Sequence, residues 1–168
     1  MTDGKIVSEE DFTTSISQLP LVSIDLLVRN SEGSILLGKR ENRPAMGHWF
    51  VPGGRIRRME GFDSAFQRIT HGELGRSFVL GDTKFNGVFQ HMYDDSAFSE
   101  DIGSHYVSIA MELEIINLEL ENLPQIQHKE YRWFGLQDMM NDAEVHDLSL
   151  IHISEPTRQA ESRMPSSA

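Results

Sequence analysis

Glu73 follows Phe66 by seven residues and Phe62 by eleven. At about 100° per residue, a helix would set its carboxylate within roughly 20° of the apolar stripe of Phe62, Phe66 and Ile69, with Ala65 alongside. A carboxylate on that face is buried at a cost unless it is paired or metal-bound. The plainer alternative is a glutamate at the helix end that snorkels out or pairs with an arginine. Other polar residues have similarly open readings. Gln127 and His128 adjoin in what reads as a polar loop, where an amide beside an imidazole is commonplace. His91 alternates with apolar residues, as a hydrogen-bonded core histidine also would. Asp25 stands between Ile24 and Leu26, so strand alternation could put it on a polar face. Tyr106 suits ordinary sheet packing. Arg43 suits closure of the loop before Pro44, and Trp49 and Phe50 suit a core.

These side chains need elements to hold them. Ser8 and Asp11 resemble a helix start, with Phe12, Ile16 and Leu19 at helical spacing and Pro20 as the stop. Leu21 to Val28 is β-branched and apolar and predicts a strand. Asn30-Ser31-Glu32-Gly33 predicts a turn, and Ser34 to Lys39 a returning strand. Trp49 to Val51 predicts a short strand stopped by Pro52-Gly53-Gly54. Residues 61–74 predict a helix. Lys84 to His91 and His105 to Ile115 predict strands around an acidic loop, and Glu130 to Phe134 another short strand. A weak helix starts at Gln137. The order is mixed α+β, with most strands antiparallel or mixed and no internal repeat.

The spacing around Glu73 carries more than its helical position. Gly54, five residues, Glu60, seven residues, Arg68, then Glu73-Leu74-Gly75 resembles the Nudix box, G-x5-E-x7-R-E-U-x-E-E-x-G-U, with U bulky and apolar. The resemblance implies a Nudix fold, a curved mixed sheet flanked by helices in an α/β/α sandwich. It also implies a loop-helix-loop that holds magnesium against a diphosphate. Glu60 and Arg68 look like the structural pair that braces loop to helix. The box usually has acids where this chain has Ile69 and Gly72, and Gly75 is followed by Arg76. One remaining carboxylate suggests one metal and a water activated elsewhere. A degenerate domain without catalysis is the alternative.

Further segments extend the match. They are Gly38-Lys39-Arg40, Asn42-Arg43-Pro44-Ala45, Trp49 to Arg55, Gln90-His91, Tyr93-Asp94-Asp95, His105-Tyr106, Gln127-His128 and Tyr131-Arg132-Trp133. Together, over about Asp11 to His146, they resemble the GDP-mannose mannosyl hydrolase branch, which lacks the same box acids. In that branch water attacks the anomeric carbon with inversion, releasing GDP and free hexose. The resemblance implies one Mg2+ per active site, with Mn2+ able to substitute, held by the Gly53 carbonyl, Glu73 and the Gln127 side-chain oxygen. It implies His128 as general base, since imidazole titrates near neutral pH. Arg40 and Arg55 would bind the diphosphate. Asp25, His91 and Tyr106 would orient substrate or complete leaving-group stabilisation. GDP-glucose, different at one stereocentre, is a second substrate the pattern allows. The branch is typically a homodimer.

Composition sets the outer limits. A chain of 168 residues suits one domain with one core. Its formal net charge of -11 argues against a nucleic-acid footprint. A polyanionic substrate would then need local neutralisation by a cation and arginines, although an acid excess also simply aids solubility. There is no cysteine, hence no disulfide or thiolate zinc site. No apolar run is long enough for a bilayer, and Met1 to Phe12 is too polar for a secretory signal, so cytoplasm is the default. From Leu148 the chain loses periodicity. Ile151 to Arg158 and Ser162 to Ala168 resemble the two constant parts of a translated sequencing-library adapter, flanking a variable index. The expected organisation is one domain over 1–147 and a non-native tail over 148–168.

Three functions compete. One is hydrolysis of GDP-mannose at carbon. A second is a Nudix pyrophosphohydrolase attacking phosphorus in another nucleotide, which the missing acids disfavour. A third is a nucleotide-sugar-binding module without turnover, disfavoured by the retained Glu73, Gln127 and His128.

Overall fold

Residues 23–28 of the first strand are buried without interruption, so this strand is covered on both faces. The computed structural model describes residues 8–147 together with Ser149 and Leu150. The elements are α1 (Glu9–Ile16), β1 (Leu21–Arg29), β2 (Ile35–Arg40), β3 (Trp49–Phe50), β4 (Gly53–Arg55), α2 (Phe62–Leu74), β5 (Thr83–Tyr93), β6 (Ser104–Glu114), β7 (His128–Phe134) and α3 (Leu136–Asn141). The strands make one seven-stranded mixed sheet with the main order β3-β2-β1-β6-β5. β1 runs parallel to β6 from Leu21↔Tyr106 to Arg29↔Glu114. All other strand pairs are antiparallel.

The other edge of β1 is shared. β4 pairs with Ser23, Ile24 and Asp25, whereas β2 joins only at Arg29↔Ile35. β2 then continues between β3 and β7. Alternate residues of β1 feed two cores. Ile24, Leu26 and Val28 pack with Ala65, Phe66 and Ile69 of α2. Leu27 packs on the opposite side with Phe89, Phe134, Met139 and Val145. Helices therefore cover both faces of the sheet, the α+β sandwich expected from the sequence.

Four local expectations are corrected. Pro52-Gly53-Gly54 does not simply end a strand, because Gly53 opens β4. A Cβ on Gly53 would lie 2.6 Å from the Ile24 carbonyl oxygen, so the close approach of β4 to β1 needs glycine there. His128 is not in a loop but begins β7. Asp25 finds no polar face, since β1 is buried on both sides. Leu19 falls beyond α1 and is exposed, while Phe12 and Ile16 are buried. Among the described residues, no helix is long and apolar enough to cross a membrane. The tail expected over 148–168 lies outside the described residues except Ser149 and Leu150. Of these, Ser149 is buried and Leu150 packs on the second core.

Candidate active site

α2 starts after Gly61 and stops at Gly75, whose φ of 75° is a left-handed conformation that favours glycine. Between them the helix turns Ala65, Phe66, Ile69, Thr70, Glu73 and Leu74 inward. Glu73 is thus only 4% exposed. Gln127 Nε2 donates to Glu73 Oε1 at 2.7 Å. His128 Nδ1 comes within 3.2 Å of Glu73 Oε2. That approach is not aligned as a hydrogen bond, and Oε2 is buried without one.

Gly53, Glu73 and Gln127 line one cavity of about 190 Å³. Ile69 and Gly72, standing where acids would be usual, line it too. Among the described residues, no group of three or more His, Cys, Asp or Glu converges as a metal site. The set that does converge is a carboxylate, a side-chain amide and a main-chain carbonyl. These are hard oxygen donors, as Mg2+ prefers. A buried carboxylate oxygen with no hydrogen bond is the feature a cation would satisfy. Rotation of the Gln127 amide would exchange its nitrogen for its oxygen at that point. The residues present therefore fit a single divalent cation.

His128 is wholly buried and is not part of the cavity lining. Its ring fits because β2 carries glycine beside it. A Cβ on Gly38 would lie 2.5 Å from His128 Cγ. Tyr131 on the same strand sets the ring's protonation. Its hydroxyl donates to the Pro124 carbonyl at 2.9 Å. It lies 3.4 Å from His128 Nδ1 and, with its proton already committed, can only accept there. The carboxylate of Glu73 is also an acceptor. Nδ1 therefore carries the hydrogen, and Nε2 keeps its lone pair. That Nε2 is buried with no hydrogen-bond partner. Burial, reinforced by the negative charge of Glu73, raises the pKa of Tyr131 and keeps its hydroxyl protonated.

A second group forms around β1, β5 and β6. Asp25 Oδ2 is 3.5 Å from His91 Nε2, and both residues are buried. Tyr93 and Tyr106 meet edge to face at 6.0 Å. Burial raises the pKa of Tyr106, against the opposing positive charges of Arg55 and Arg40. Arg40 is tied by its Nε to the Pro44 carbonyl at 2.8 Å. Arg55 lies over the Phe12 ring, 4.3 Å from its centroid. The two groups meet at Gly53, which lines the cavity and stands opposite Asp25 in the β4–β1 register.

The expected residues thus fall into one group of Gly53, Glu73, Gln127 and His128 and a second of Asp25, His91, Tyr106, Arg40 and Arg55. Sequence reasoning gave Tyr131, Gly38 and Arg57 no part. Gly38 and Tyr131 stood in quoted runs of the resemblance without a role, and the role of Tyr131 arises from hydrogen-bond direction.

Residues 19–152 match the NUDIX domain family. The chain belongs to the Nudix hydrolase family. It is 36% identical over 130 residues to the low-salt glycan biosynthesis protein Agl8 of Haloferax volcanii, covering 76% of this chain and 79% of that protein. Its fold is similar to the MutT protein of Methanosarcina mazei, with a TM-score of 0.65 and 18% identity over 86% of this chain and 98% of that one. It is also similar to the NUDIX domain of Shewanella oneidensis NrtR solved with ADP ribose, with a TM-score of 0.60 and 16% identity over 92% and 99% of the two chains. Nudix hydrolases generally use divalent cations such as Mg2+ or Mn2+. For this Nudix chain, Glu73, Gln127 and the Gly53 carbonyl are the residues suited to such an ion.

Proposed function

We propose that the chain hydrolyses GDP-mannose to GDP and free mannose, with GDP-glucose as the alternative substrate, by attack of water at the anomeric carbon. The observation that carries this reading is a cavity with one carboxylate, Glu73, in contact behind it with the buried His128, whose Nε2 has no hydrogen-bond partner and is the base once water reaches it. Apolar Ile69 and Gly72 stand where carboxylates would otherwise activate water against phosphorus. Glu73, Gln127 and Gly53 hold one Mg2+, with Mn2+ able to substitute. When bound, the ion neutralises charge developing on the diphosphate.

The chain's own groups do the rest. His128 Nε2 accepts a proton from water as the water oxygen bonds to C1, while Tyr131 holds Nδ1–H and the nearby Glu73 carboxylate stabilises the imidazolium by its charge. The C1–O bond breaks with its electron pair remaining on the diphosphate. Arg40 and Arg55 bind those oxygens with charge-assisted hydrogen bonds. Asp25, His91 and Tyr106 orient the hexose and its leaving group. A diphosphate leaves without protonation, so one base suffices, in contrast to the acid and base of an inverting glycosidase. The description of Agl8 as a glycan biosynthesis protein supports a role in sugar-nucleotide chemistry. The family resemblance also supports a homodimer. The compartment in this reading is the cytoplasm, with one domain over 1–147 and, from the adapter-like run, a foreign segment over 148–168.

Turnover of GDP-mannose with Mg2+ in oxygen-18 water tests the reading. The label is expected in the hexose. Label in phosphate would overturn attack at carbon and favour a pyrophosphohydrolase. Binding of GDP-mannose without products would make the domain a binding module.

A further inference from the structure

The cavity that holds Glu73 and Gln127 is also lined by two arginines, Arg57 and Arg68. They are not equivalent. Arg68 Nε donates to Glu60 Oε1 at 2.6 Å, and its Nη2 donates to Glu60 Oε2 and to the Arg55 carbonyl, each at 2.8 Å. Its guanidinium fork is therefore committed to the brace between loop and helix. Arg57 is held by its main chain instead, its N–H donating to Glu60 Oε2 at 2.9 Å. Its side chain is exposed and, among the described residues, forms no ion pair within salt-bridge distance. Glu60 is close enough to feel the Arg57 charge, but that carboxylate is already bonded by Arg68 and by the Arg57 main chain. Arg55 in turn feels the like charges of Arg57 and Arg68. A chain of net charge -11 thus places two cationic side chains on the lining of one small cavity, with Arg55 near enough to feel both.

Glu60 already offsets the charge of Arg68, whereas the Arg57 side chain has no ion-pair partner among the described residues and stands beside a cavity lined by one carboxylate, so an anion bound there would pair with it. We infer that Arg57 is a further diphosphate-binding residue, supplying in this chain a fixed positive charge where other acids in the box would recruit additional cations. The inference rests on the reading of the cavity as a diphosphate site. Glu60 has a double task in it. It locks Arg68 and also aims the loop residue Arg57 at the cavity. The ligand class is a diphosphate with two anionic phosphoryl groups, one for the Glu73 side and one for Arg57.

The test uses the full chain, Arg57→Gln and Arg57→Lys, with Arg58→Gln as a control of equal charge change outside the cavity lining. Dissociation constants are measured by calorimetry with Mg2+ for inorganic diphosphate, GDP and GMP. Loss of one charge-assisted contact predicts roughly 10- to 100-fold weaker binding of diphosphate and GDP by Arg57→Gln. Arg57→Lys should fall between, GMP should change much less, and Arg58→Gln should stay within about twofold for every ligand. Equal behaviour of Arg57→Gln and Arg58→Gln, or equal weakening of GMP and GDP, would overturn the inference. The probes carry no hexose, so the outcome is separable from the proposed reaction. Diphosphate binding that depends on Arg57 in a chain that does not hydrolyse GDP-mannose would sink the reaction alone. GDP-mannose turnover with unchanged KM and diphosphate affinity in Arg57→Gln would sink Arg57 alone.

Discussion

A fully buried histidine normally satisfies both ring nitrogens, because an unpartnered polar atom in an apolar interior costs about 1–3 kcal/mol. His128 satisfies only the Nδ1 side, towards the Tyr131 hydroxyl, and leaves Nε2 without a hydrogen bond. Such a cost at one atom is more readily retained where the atom has work to do. His128→Gln should therefore lower kcat about 10²- to 10⁴-fold, the usual contribution of a general base, with KM moved far less. Steady-state kinetics on folded protein check this, and an unchanged kcat would remove His128 from the reaction. Glu73 was legible in the sequence because helical periodicity alone aims it inward, and burial of a carboxylate demands compensation. The availability of His128 Nε2 was not legible. It depends on Tyr131 spending its proton on the Pro124 carbonyl, a direction that no spacing encodes.

At the scale of elements, the site depends on how loop and helix are fastened. Glu60 and Arg68 form that fastening, and the pair was legible through the resemblance to the Nudix box. The hydrogen bond from Arg68, opposed in part by burial and aided by the Arg57 N–H, holds the Glu60 carboxyl down to about 2, from an ordinary value of 4.5. A depressed pKa means that the folded chain binds this proton less readily than the unfolded chain. The brace's contribution is then complete above about pH 4.5 and is lost as pH falls towards 2. Glu60→Gln should cost roughly 1–2 kcal/mol near neutrality. The gap between the two unfolding midpoints should close over that acid range, as thermal melts from pH 7 to 2 would register. A gap that stays constant to pH 2 would contradict the assignment. The strands beside this brace were less legible. β4 is a strand of two glycines and an arginine, with no apolar alternation to reveal it. It exists because β1 offers it a partner across Ser23 to Asp25.

At the scale of the whole molecule, the mixed α+β order was legible from the apolar runs of β1 and β2 and the helical period of α2, and the layered sandwich from the resemblance to the Nudix family. The closing segment after α3 had no such pattern, and its importance comes from long-range pairing with β3. Trp49 N–H donates to the Glu144 carbonyl at 2.8 Å, and His146 N–H donates to the Trp49 carbonyl at 3.0 Å. Val145 between them is 4% exposed in the second core. The same segment sets the His146 ring 5.4 Å from Phe50 and 5.8 Å from Tyr93, on the side of the site that holds Arg40. Ending the chain after Asp142 instead of after Leu150 removes buried Val145, worth about 1.5–3 kcal/mol, together with the packing of Leu150 on the same core. It also removes both main-chain hydrogen bonds to Trp49, worth about 1 kcal/mol each. For a domain of this size the melting midpoint should fall by about 10 °C relative to the chain ended after Leu150. Paired calorimetric scans of the two truncations measure this directly. Midpoints within about 2 °C of each other would mean that β3 stands on its pairing with β2 alone, and that the wall formed by His146 is dispensable to the fold.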